Sequence, residues 1–454
     1  MTATTNTPIP ENRAWKALGA LSVGLFLTLL DQSLVAVALP RIREDLGASL
    51  NQAVWVSAIY LLTFAVPLLI TGRLGDRFGQ RTVYMAGMAL FTVSALACAL
   101  APTIELLILA RAFQGLGGSL LNPQPLSIIH RIFAHNRRGA ATGVWSAVAS
   151  SAGLFGPVVG GVLVGAVGWR AVFFVYVPLG LISLVAVARY VPTLPTGTSR
   201  IDYLSGAVSL IAVLGIVVAL QQGPELGFGP LIWLSLAGGI AALVLFVWMQ
   251  TRSSAPLMPL RLFETHNFSR GAFAVFTLGF TVYSVNLPIM LYLQTAQNMA
   301  PETAGLMLVP MGVLSVLMSP VIGRLTDRVA PGMISKIGFA SMITAMSLFA
   351  VFMINDAGAL TLLIPVVLFG VANAKCWAPN STISLRDVPQ DLVGSASGVY
   401  NTARQVGAVV GAATLGATMQ LAVTLTEFGT AMGIAILLTV VPLAAGLASV
   451  SRFR

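Results

Sequence analysis

Long stretches without a single charged residue dominate this chain. Seven of them cover residues 46–72, 82–104, 139–169, 203–224, 226–251, 271–301 and 428–451. A helix needs about 20 apolar residues to cross a bilayer, so each stretch is long enough for one span. Only 9% of the 454 residues are charged and 57% are hydrophobic, which excludes an ordinary soluble globular domain. The chain is therefore predicted to be an all-α polytopic membrane protein.

The apolar pattern divides into fourteen predicted membrane-spanning helices. They cover residues 17–39, 53–72, 83–101, 104–128, 141–164, 170–189, 203–221, 231–250, 270–293, 303–322, 334–353, 358–380, 396–417 and 430–450. Alternate connections hold 19 of the 25 lysines and arginines, whereas the opposite set holds three, Arg41, Arg43 and Arg170. Under the positive-inside rule, this alternation predicts that both termini are cytoplasmic. We expect the chain to lie in the cell's inner (plasma) membrane.

The same charge pattern bounds the partners of the chain. The net charge of +10 is explained by topology, so we predict no nucleic-acid partner. The first apolar stretch runs on to Pro40 without a small-residue cleavage site before it, and we expect it to be retained as a span. The placement of the two cysteines and three histidines disfavours a metal site, and no phosphate-binding loop follows a strand. We expect a protein that is not an enzyme and has no cofactor.

One segment of the chain is repeated. "GRLGDRFGQR" (72–81) recurs as "GRLTDRVAPG" (323–332), 251 residues later. Two six-span halves joined directly would repeat after about 200 residues, so the spans at 203–221 and 231–250 are predicted to be an insert. The predicted organisation is a six-helix bundle (1–190), an inserted two-helix hairpin with cytoplasmic linkers (191–267) and a second six-helix bundle (268–454). Paired repeats are typical of secondary transporters, whose solute site lies near the midplane.

Seven motifs in order give the chain a resemblance to the major facilitator superfamily, specifically to its fourteen-span drug:proton antiporters. They are "LDQSLVAVALP" (30–40), "GRLGDRFGQR" (72–81), "RAFQGLGGSLLNP" (111–123), "GLFGPVVGG" (153–161), "WRAVFFVYVPLG" (169–180), "YLQTAQNMAPETAG" (292–305) and "NTARQVGAVVGAA" (401–413). The resemblance covers essentially the whole chain. One departure is Tyr176, which stands where such relatives usually have Asn.

The resemblance implies the major facilitator fold and alternating-access export of small amphipathic drugs or toxic compounds in exchange for protons. A lipid or metabolite exporter or flippase on the same fold is the nearest alternative, followed by a proton-coupled uptake symporter, which the Gly-Pro motif at 153–161 disfavours. A membrane-embedded enzyme is a third alternative, disfavoured because no catalytic set of side chains shares a depth. The expected partners are a small-molecule substrate, protons and the lipid bilayer, and we expect a monomer.

Four charged residues lie within predicted spans: Asp31, Arg111, Lys375 and Arg404. Charges at this depth mark functional sites by default and are normally paired. From the helical rise, Asp31 lies about 12 Å and Arg111 about 10 Å from the outer ends of their spans. They form either a purely structural pair or a proton switch, in which a movement of Arg111 loads or releases a proton on Asp31. We predict that Asp31 and Arg111 couple transport to protons.

Two further motifs predict helix packing and gating. The small residues Gly153, Gly156, Gly160 and Gly161, with Pro157, predict a kinked and closely packed fifth span, and the resemblance adds a role in antiport. The resemblance also implies a cytoplasmic gate at the repeated motif, with simple positive-inside anchoring as the alternative. Asp76, just ahead of the next helix, is placed to accept from its free amides. The predicted gate residues are Gly72, Arg73, Asp76, Arg77, Arg81, Arg324, Asp327 and Arg328.

Several polar and aromatic side chains are candidates to line a substrate cavity, although each also suits packing or interface anchoring. They are Trp55, Gln114, Asn122, Trp145, Tyr283, Asn286, Gln294 and Trp377. Arg404, with Asn401, is placed to hydrogen-bond a solute or to gate the second half, and a structural tie of Arg404 to a backbone carbonyl is the alternative. Lys375 lies about five residues from the inner end of its span, which favours a side chain that extends towards the interface over one that faces the cavity.

Overall fold

The computed structural model describes residues 10–134, 137–196, 202–253, 256–326, 329–389 and 392–453. These ranges are helical and contain no strand, so the predicted all-α class is confirmed. The helices are α1 (Glu11–Asp45), α2 (Leu50–Ala65), α3 (Leu68–Phe78), α4 (Gln80–Leu100), α5 (Ile104–Leu121), α6 (Gln124–Ile132), α7 (Arg138–Ala166), α8 (Arg170–Phe174), α9 (Tyr176–Tyr190), α10 (Tyr203–Gln222), α11 (Pro230–Arg252), α12 (His266–Val282), α13 (Asn286–Leu291), α14 (Pro301–Met307), α15 (Val309–Thr326), α16 (Pro331–Ile354), α17 (Leu363–Arg386), α18 (Val393–Val423), α19 (Phe428–Leu438) and α20 (Val440–Val450).

Twelve helical segments of the described chain are long and apolar enough to cross a membrane, and α2 with α3 makes a thirteenth if the pair is one bent span. A polytopic membrane protein is thereby confirmed. The predicted span at 141–164 coincides with α7, of which several side chains lie outside the described residues. Within α7, the segment Phe155–Ala166 is recognised as an apolar helix, but it is shorter than a membrane span. The number fourteen stays a prediction.

Several predicted spans are interrupted where the apolar pattern predicted one continuous helix. α2 and α3 meet at an angle of 52° beside Pro67, and α5 gives way to α6 at Pro123. Proline lacks the backbone N–H and clashes with the preceding turn, which interrupts a helix interior. Pro157, by contrast, lies inside the continuous α7, so the kink predicted there does not break the helix.

Two large hydrophobic cores follow the two halves of the sequence. The first is built mainly from side chains of α1 to α9, and the second mainly from side chains of α12 to α20. In the first half α1 packs against α7 and α4 against α5, while in the second α12 packs against α18 and α16 against α17. Each half thus buries apolar surface of its own, and an interface remains between them.

The interface between the halves is formed by α2 against α18 and by α7 against α14 and α15. The helices α10 and α11 pack against each other, and α10 also contacts α2 and α18. On α11, the large apolar side chains of Leu231, Trp233 and Leu234 point outward, as expected of a surface that meets lipid. The inserted hairpin is therefore attached to the interface through α10.

Candidate functional site

The buried pair Asp31 and Arg111 joins α1 and α5 in the first half. Arg111 Nη1 donates to Asp31 Oδ1 at 2.8 Å and to Oδ2 at 2.7 Å. Asp31 is 0% and Arg111 1% exposed. The sequence placed these opposite charges at matching depth on different spans, and the structure brings them into direct contact. Whether the pair handles a proton stays a prediction.

Small residues on α5 explain how Arg111 reaches its partners. Gly115 lies directly against the backbone of Tyr60 on α2, and Gly118 lies against the ring of Phe64. Since glycine has no side chain, α2 and α5 approach closely at this level. Arg111 Nε therefore donates to the carbonyl oxygen of Val56 at 3.0 Å.

Gln114 connects the two charged partners, although the sequence suggested it as a cavity residue. Its Oε1 accepts from Arg111 Nη1 at 2.8 Å, and its Nε2 donates to Asp31 Oδ1 at 3.3 Å. Cys98 Sγ also lies 3.6 Å from Gln114 Oε1. Gln114 is fully buried and is placed to orient the pair, and it is not among the residues that line the neighbouring cavity.

Aromatic rings surround the guanidinium group of Arg111. Its Cζ lies 4.2 Å from the ring centroid of Tyr60 and 5.8 Å from that of Phe173, distances typical of cation–π contacts. The Tyr176 hydroxyl is buried beside Asp31 and interacts with its carboxylate, although the geometry falls short of a hydrogen bond. The sequence singled out Tyr176 only as a departure from the family pattern, and it carried no signal for Tyr60.

A small cavity lies beside the pair, between the two halves. Its polar lining consists of Gln32, Ser57, Tyr60, Arg111, Tyr283 and Ser284, and its apolar lining comes mainly from α1, α2 and α18. The volume is about 30 Å³, whereas a drug-sized ligand needs roughly 300 Å³ or more. The cavity as it stands therefore has room for water and not for a drug-sized ligand.

Several polar atoms near this cavity are buried without a hydrogen-bond partner among the described residues. Both amide atoms of Gln32, which lines the cavity, belong to this group. So do Trp55 Nε1 and Asn286 Oδ1, each of which is next in sequence to a lining residue. Buried polar atoms without partners are rare in folded proteins and call for a specific explanation, such as a water or a ligand. Sequence reasoning missed Gln32, although it follows Asp31 directly in the quoted motif.

A second group of candidates comes together on the other half. Trp377 and Tyr283 pack with ring centroids 6.3 Å apart, and Arg404 Cζ lies 5.8 Å from the Trp377 centroid. Trp377 Nε1 donates to Asn373 Oδ1 at 2.7 Å. Asn401 lies one turn before Arg404 and donates its side-chain amide to the Ser397 carbonyl oxygen at 3.0 Å. Tyr283 therefore links the cavity to Trp377 and Arg404.

Other candidates lie away from the cavity. Trp145 belongs to the core of the first half, Asn122 ends α5, and Gln294 Nε2 donates to the Val37 carbonyl oxygen across the interface at 3.0 Å. The Cβ of Lys375 faces Gly338 on α16, which favours the interpretation that its side chain extends away from the cavity. Residue type alone therefore did not distinguish the polar and aromatic side chains that line the cavity from those that pack elsewhere in the bundle.

The first copy of the repeated motif is largely helical, where the sequence predicted a connection between two spans. Gly72 to Phe78 are helical and end α3, followed by Gly79 with φ 91°. The first residues of α4 receive no side-chain cap, so Asp76 does not cap that helix as predicted and instead accepts from Gln80 Nε2 at 3.1 Å. The reason is that Asp76 lies inside α3. The tight turn at Gly79 therefore separates its carboxylate from the free backbone amides at the start of α4.

Two arginines of the first copy bind backbone oxygens. Arg73 Nη2 donates to the Pro256 carbonyl oxygen in the linker after the insert, and Arg81 Nη2 donates to that of Ala188, both at 2.5 Å. Arg77 is exposed. Asp327, Arg328 and the side chain of Arg324 in the second copy lie outside the described residues. The predicted gate is thus described for the first copy alone.

The Gly-Pro motif packs α7 between two other helices. Gly156 lies against Ser33 of α1, and Gly160 lies against Leu34 and Val37 of the same helix. On the other side Gly161 lies against the backbone of Pro301 and Glu302, at the start of α14, and the Pro157 carbonyl oxygen lies against Gly305. The surroundings of Gly153 lie outside the described residues. The close packing predicted here includes the interface between the halves.

A polar cluster joins α2, α10 and α18 at the end of the bundle where α1 ends. We call this end the outer end, because the charge pattern predicts that it faces outward. Asn51 Oδ1 accepts from Gln221 Nε2 at 2.8 Å and from Gln420 Nε2 at 3.2 Å. Asn51 Nδ2 donates to Gln222 and Glu225. The inserted hairpin and both halves therefore share one network of hydrogen bonds.

Comparison with known proteins places these features in a family context. A sequence profile described as the Major Facilitator Superfamily matches residues 21–412. An uncharacterised MFS-type transporter of Mycobacterium tuberculosis is 39% identical over 406 residues, which are 89% of this chain and 70% of that one. The tetracenomycin C resistance and export protein of Streptomyces glaucescens is 34% identical, over 90% of this chain and 76% of that one. The multidrug efflux pump LfrA of Mycolicibacterium smegmatis is 34% identical, over 91% and 82%.

Solved structures show the same architecture at low sequence identity. An auto-inhibited POT family peptide transporter is similar with a TM-score of 0.71 and 16% identity, covering 98% of this chain and 97% of that one. A D-xylose–proton symporter is similar with a TM-score of 0.68 and 14% identity, covering 94% and 97%. At such identity the likeness concerns the fold alone.

Proposed function

Because the chain belongs to the Major Facilitator Superfamily, we propose that it exports small amphipathic drugs or toxic compounds in exchange for protons. The family and its transporter relatives indicate a transporter and not an enzyme. Two of these relatives carry names that refer to export or efflux, which supports the outward direction. The observation that carries the proton-coupled part is the Asp31–Arg111 pair, buried beside the cavity between the halves.

Asp31 is the group that binds the coupled proton in this proposal. The ionised carboxylate is held by Arg111 and Gln114, and a proton on it removes the charge that attracts Arg111. Arg111 itself stays charged and keeps Gln114 Oε1, the Val56 carbonyl oxygen and the Tyr60 ring as partners. Proton binding thus changes the contact between α1 and α5 next to the cavity. A membrane potential supplies about 2.3 kcal/mol per charge per 100 mV to drive such an exchange.

Alternating access in this proposal opens one end of the interface at a time. The outer end is extracellular and is closed here by the Asn51 cluster and by α7 against α14. The residues 72–81 and 323–332 form the gate at the cytoplasmic end. Substrate enters there when the halves move apart, since the cavity as it stands is too small for it.

The proposed topology has fourteen spans, namely the twelve long helices, the bent pair α2 and α3, and α7. Residues 1–190 and 268–454 form the two six-helix bundles, and residues 191–267 form the inserted hairpin with its linkers. Both termini are cytoplasmic, the protein lies in the inner (plasma) membrane, and it acts as a monomer. The basic residues of alternate connections support this orientation.

Transport by the purified protein in liposomes tests the proposal. A panel of neutral, anionic and cationic aromatic compounds is followed across the membrane under an imposed pH gradient, with a pH-sensitive dye inside. Substrate movement opposite to proton movement supports antiport. Movement of substrate and protons in the same direction identifies a symporter. Flipping of labelled lipid without compound transport identifies a flippase. Either result refutes the proposal.

A further inference from the structure

The guanidinium group of Arg404 is a charged group without a counter-charge near the cavity. Its Nε is buried and has no hydrogen-bond partner among the described residues. Arg404 takes part in none of the four ion pairs found among those residues. Charged side chains within membrane spans normally pair with an opposite charge or with backbone carbonyls. The unpaired donor therefore points to a partner that comes from outside the chain.

From this geometry we propose that Arg404 binds an electronegative oxygen of the substrate, a carboxylate, phenolate or conjugated carbonyl, carried on a planar aromatic ring. The inference names the substrate class of the transporter and so rests on the proposed function. Lipophilic cations are then poor substrates. The Trp377 and Tyr283 rings supply the surface against which the substrate ring packs.

The charge balance around the cavity supports an acidic or neutral substrate. The charge of Asp31 is neutralised by Arg111, which contacts both of its carboxylate oxygens. Arg404 remains and adds a positive charge that no acidic side chain of the described residues pairs with. A cationic ligand at this place meets a like charge in a medium of low dielectric, which is unfavourable. An anionic or carbonyl oxygen gains a charge-assisted hydrogen bond.

The aromatic surface lies between Arg404 and the cavity. Arg404 Cζ lies 5.8 Å from the Trp377 centroid, and the Trp377 and Tyr283 rings are 6.3 Å apart and tilted by 53°. The indole N–H of Trp377 is already bonded to Asn373, so this side chain offers a substrate its ring surface and not a hydrogen-bond donor. Aromatic pairs prefer offset or tilted arrangements at this separation.

The opposite wall of the cavity offers a neutral group. Both amide atoms of Gln32 lack partners among the described residues, and Gln32 lines the same cavity as Tyr283. An amide supplies one donor group and one acceptor. Gln32 can therefore hydrogen-bond an uncharged polar substituent of the substrate. This substituent lies at the opposite end of the ring system from the acidic or carbonyl oxygen that binds Arg404.

Equilibrium dialysis with the purified full-length protein tests the inference without requiring transport. The probes are 2-naphthoate, 2-acetylnaphthalene and 2-naphthylmethylammonium, which share one ring system and differ in the substituent. We expect 2-naphthoate to bind at least tenfold more tightly than the ammonium compound, with the ketone between them. Equal or tighter binding of the ammonium compound by the native protein overturns the inference. Because this comparison uses the native protein alone, it decides the question even if a variant fails to fold.

Variants assign the effect to Arg404. We expect Arg404→Gln to weaken 2-naphthoate binding at least tenfold and to leave the ammonium compound unchanged or bound more tightly. Arg252→Gln is the matched control, because Arg252 also lies over a tryptophan ring, at 5.3 Å from Trp248, but on the exposed α11. Unchanged naphthoate binding in Arg404→Gln overturns the inference.

Transport of the same probes separates failure of the inference from failure of the proposed function. If 2-naphthoate binds but is not exported under a pH gradient, the export function alone is refuted. If cations are exported and 2-naphthoate does not bind, the inference alone is refuted.

Discussion

A single nitrogen of Arg111 donates to both carboxylate oxygens of Asp31, at 2.8 and 2.7 Å, in a region closed to solvent. Removing one member of such a buried pair leaves the other charge without compensation, which typically costs about 3–5 kcal/mol. The same contact is the proposed site of proton coupling. Stability and coupling must therefore be separated by experiment.

Replacement of Asp31 by Asn is expected to abolish proton-coupled efflux in vesicles, because the amide cannot exchange a proton at accessible pH. We also expect a lower thermal unfolding midpoint, since Arg111 loses its counter-charge. The double variant Asp31→Asn with Arg111→Gln removes both charges and is expected to recover most of the stability without recovering coupling. Full proton-coupled efflux in the single variant contradicts the assignment of Asp31.

Replacement of Gly161 by Ala is expected to hinder closure of the outer end. The new Cβ comes within 2.8 Å of the Pro301 carbonyl oxygen and 2.9 Å of the Glu302 Cα, both backbone atoms, so α7 and α14 must separate. We expect a large fall in transport and greater labelling of cysteines introduced at the outer end of the interface. Gly238→Ala on α11 is the control, because a Cβ there meets nothing within 4 Å. Equal transport by both variants argues against this role of α7.

A covalent link between α2 and α18 at the outer end is expected to stop transport. Asn51 and Gln420 lie in direct hydrogen-bond contact at 3.2 Å, and the native Cys98 and Cys376 are buried. We expect a short thiol crosslinker to inactivate the variant with cysteines at 51 and 420, and cleavage of the linker to restore efflux. The two single-cysteine variants serve as controls. Unimpaired efflux by the crosslinked protein means that this end does not need to open.

Replacement of Asp202 by Ala is expected to destabilise the start of α10 in a pH-dependent way. The Asp202 carboxylate accepts from Ser205 Oγ and from the Ser205 backbone N–H, and these bonds hold its pKa below the usual value. Loss of such a cap costs about 0.5–2 kcal/mol. Because the folded pKa is the lower one, the stabilisation is present above the unfolded pKa and disappears as pH falls through the folded value.

Thermal unfolding at neutral and acidic pH measures this effect. We expect the native protein to unfold at a higher temperature than Asp202→Ala at neutral pH, and the difference to shrink in acid. A difference that is the same at both pH values assigns the effect to packing and not to the ionised cap.

Much of the fold followed from the sequence because hydrophobicity over 20 residues reports directly on membrane insertion. The depth of Asp31 and Arg111 was readable for the same reason, since the helical rise converts position into depth. The roles of individual uncharged polar residues were not readable. Gln114 was expected in the cavity and instead lies between two charges, and Trp145 lies in the core.

The sequence by itself determined an all-helical membrane chain, the few residues that carry charge within it and the alternation of basic connections, because these properties depend on composition and spacing along one helix. Only the tertiary structure decided that Gln114 and Tyr60 hold Arg111, that Asp76 lies inside a helix and that α10 joins both halves through Asn51. Contacts of that kind depend on how helices rotate and approach one another. Glycines such as Gly115 and Gly161 determine where two helices approach closely, because their backbones lie directly against a neighbouring helix. The hydrophobic pattern does not show which glycines have this role.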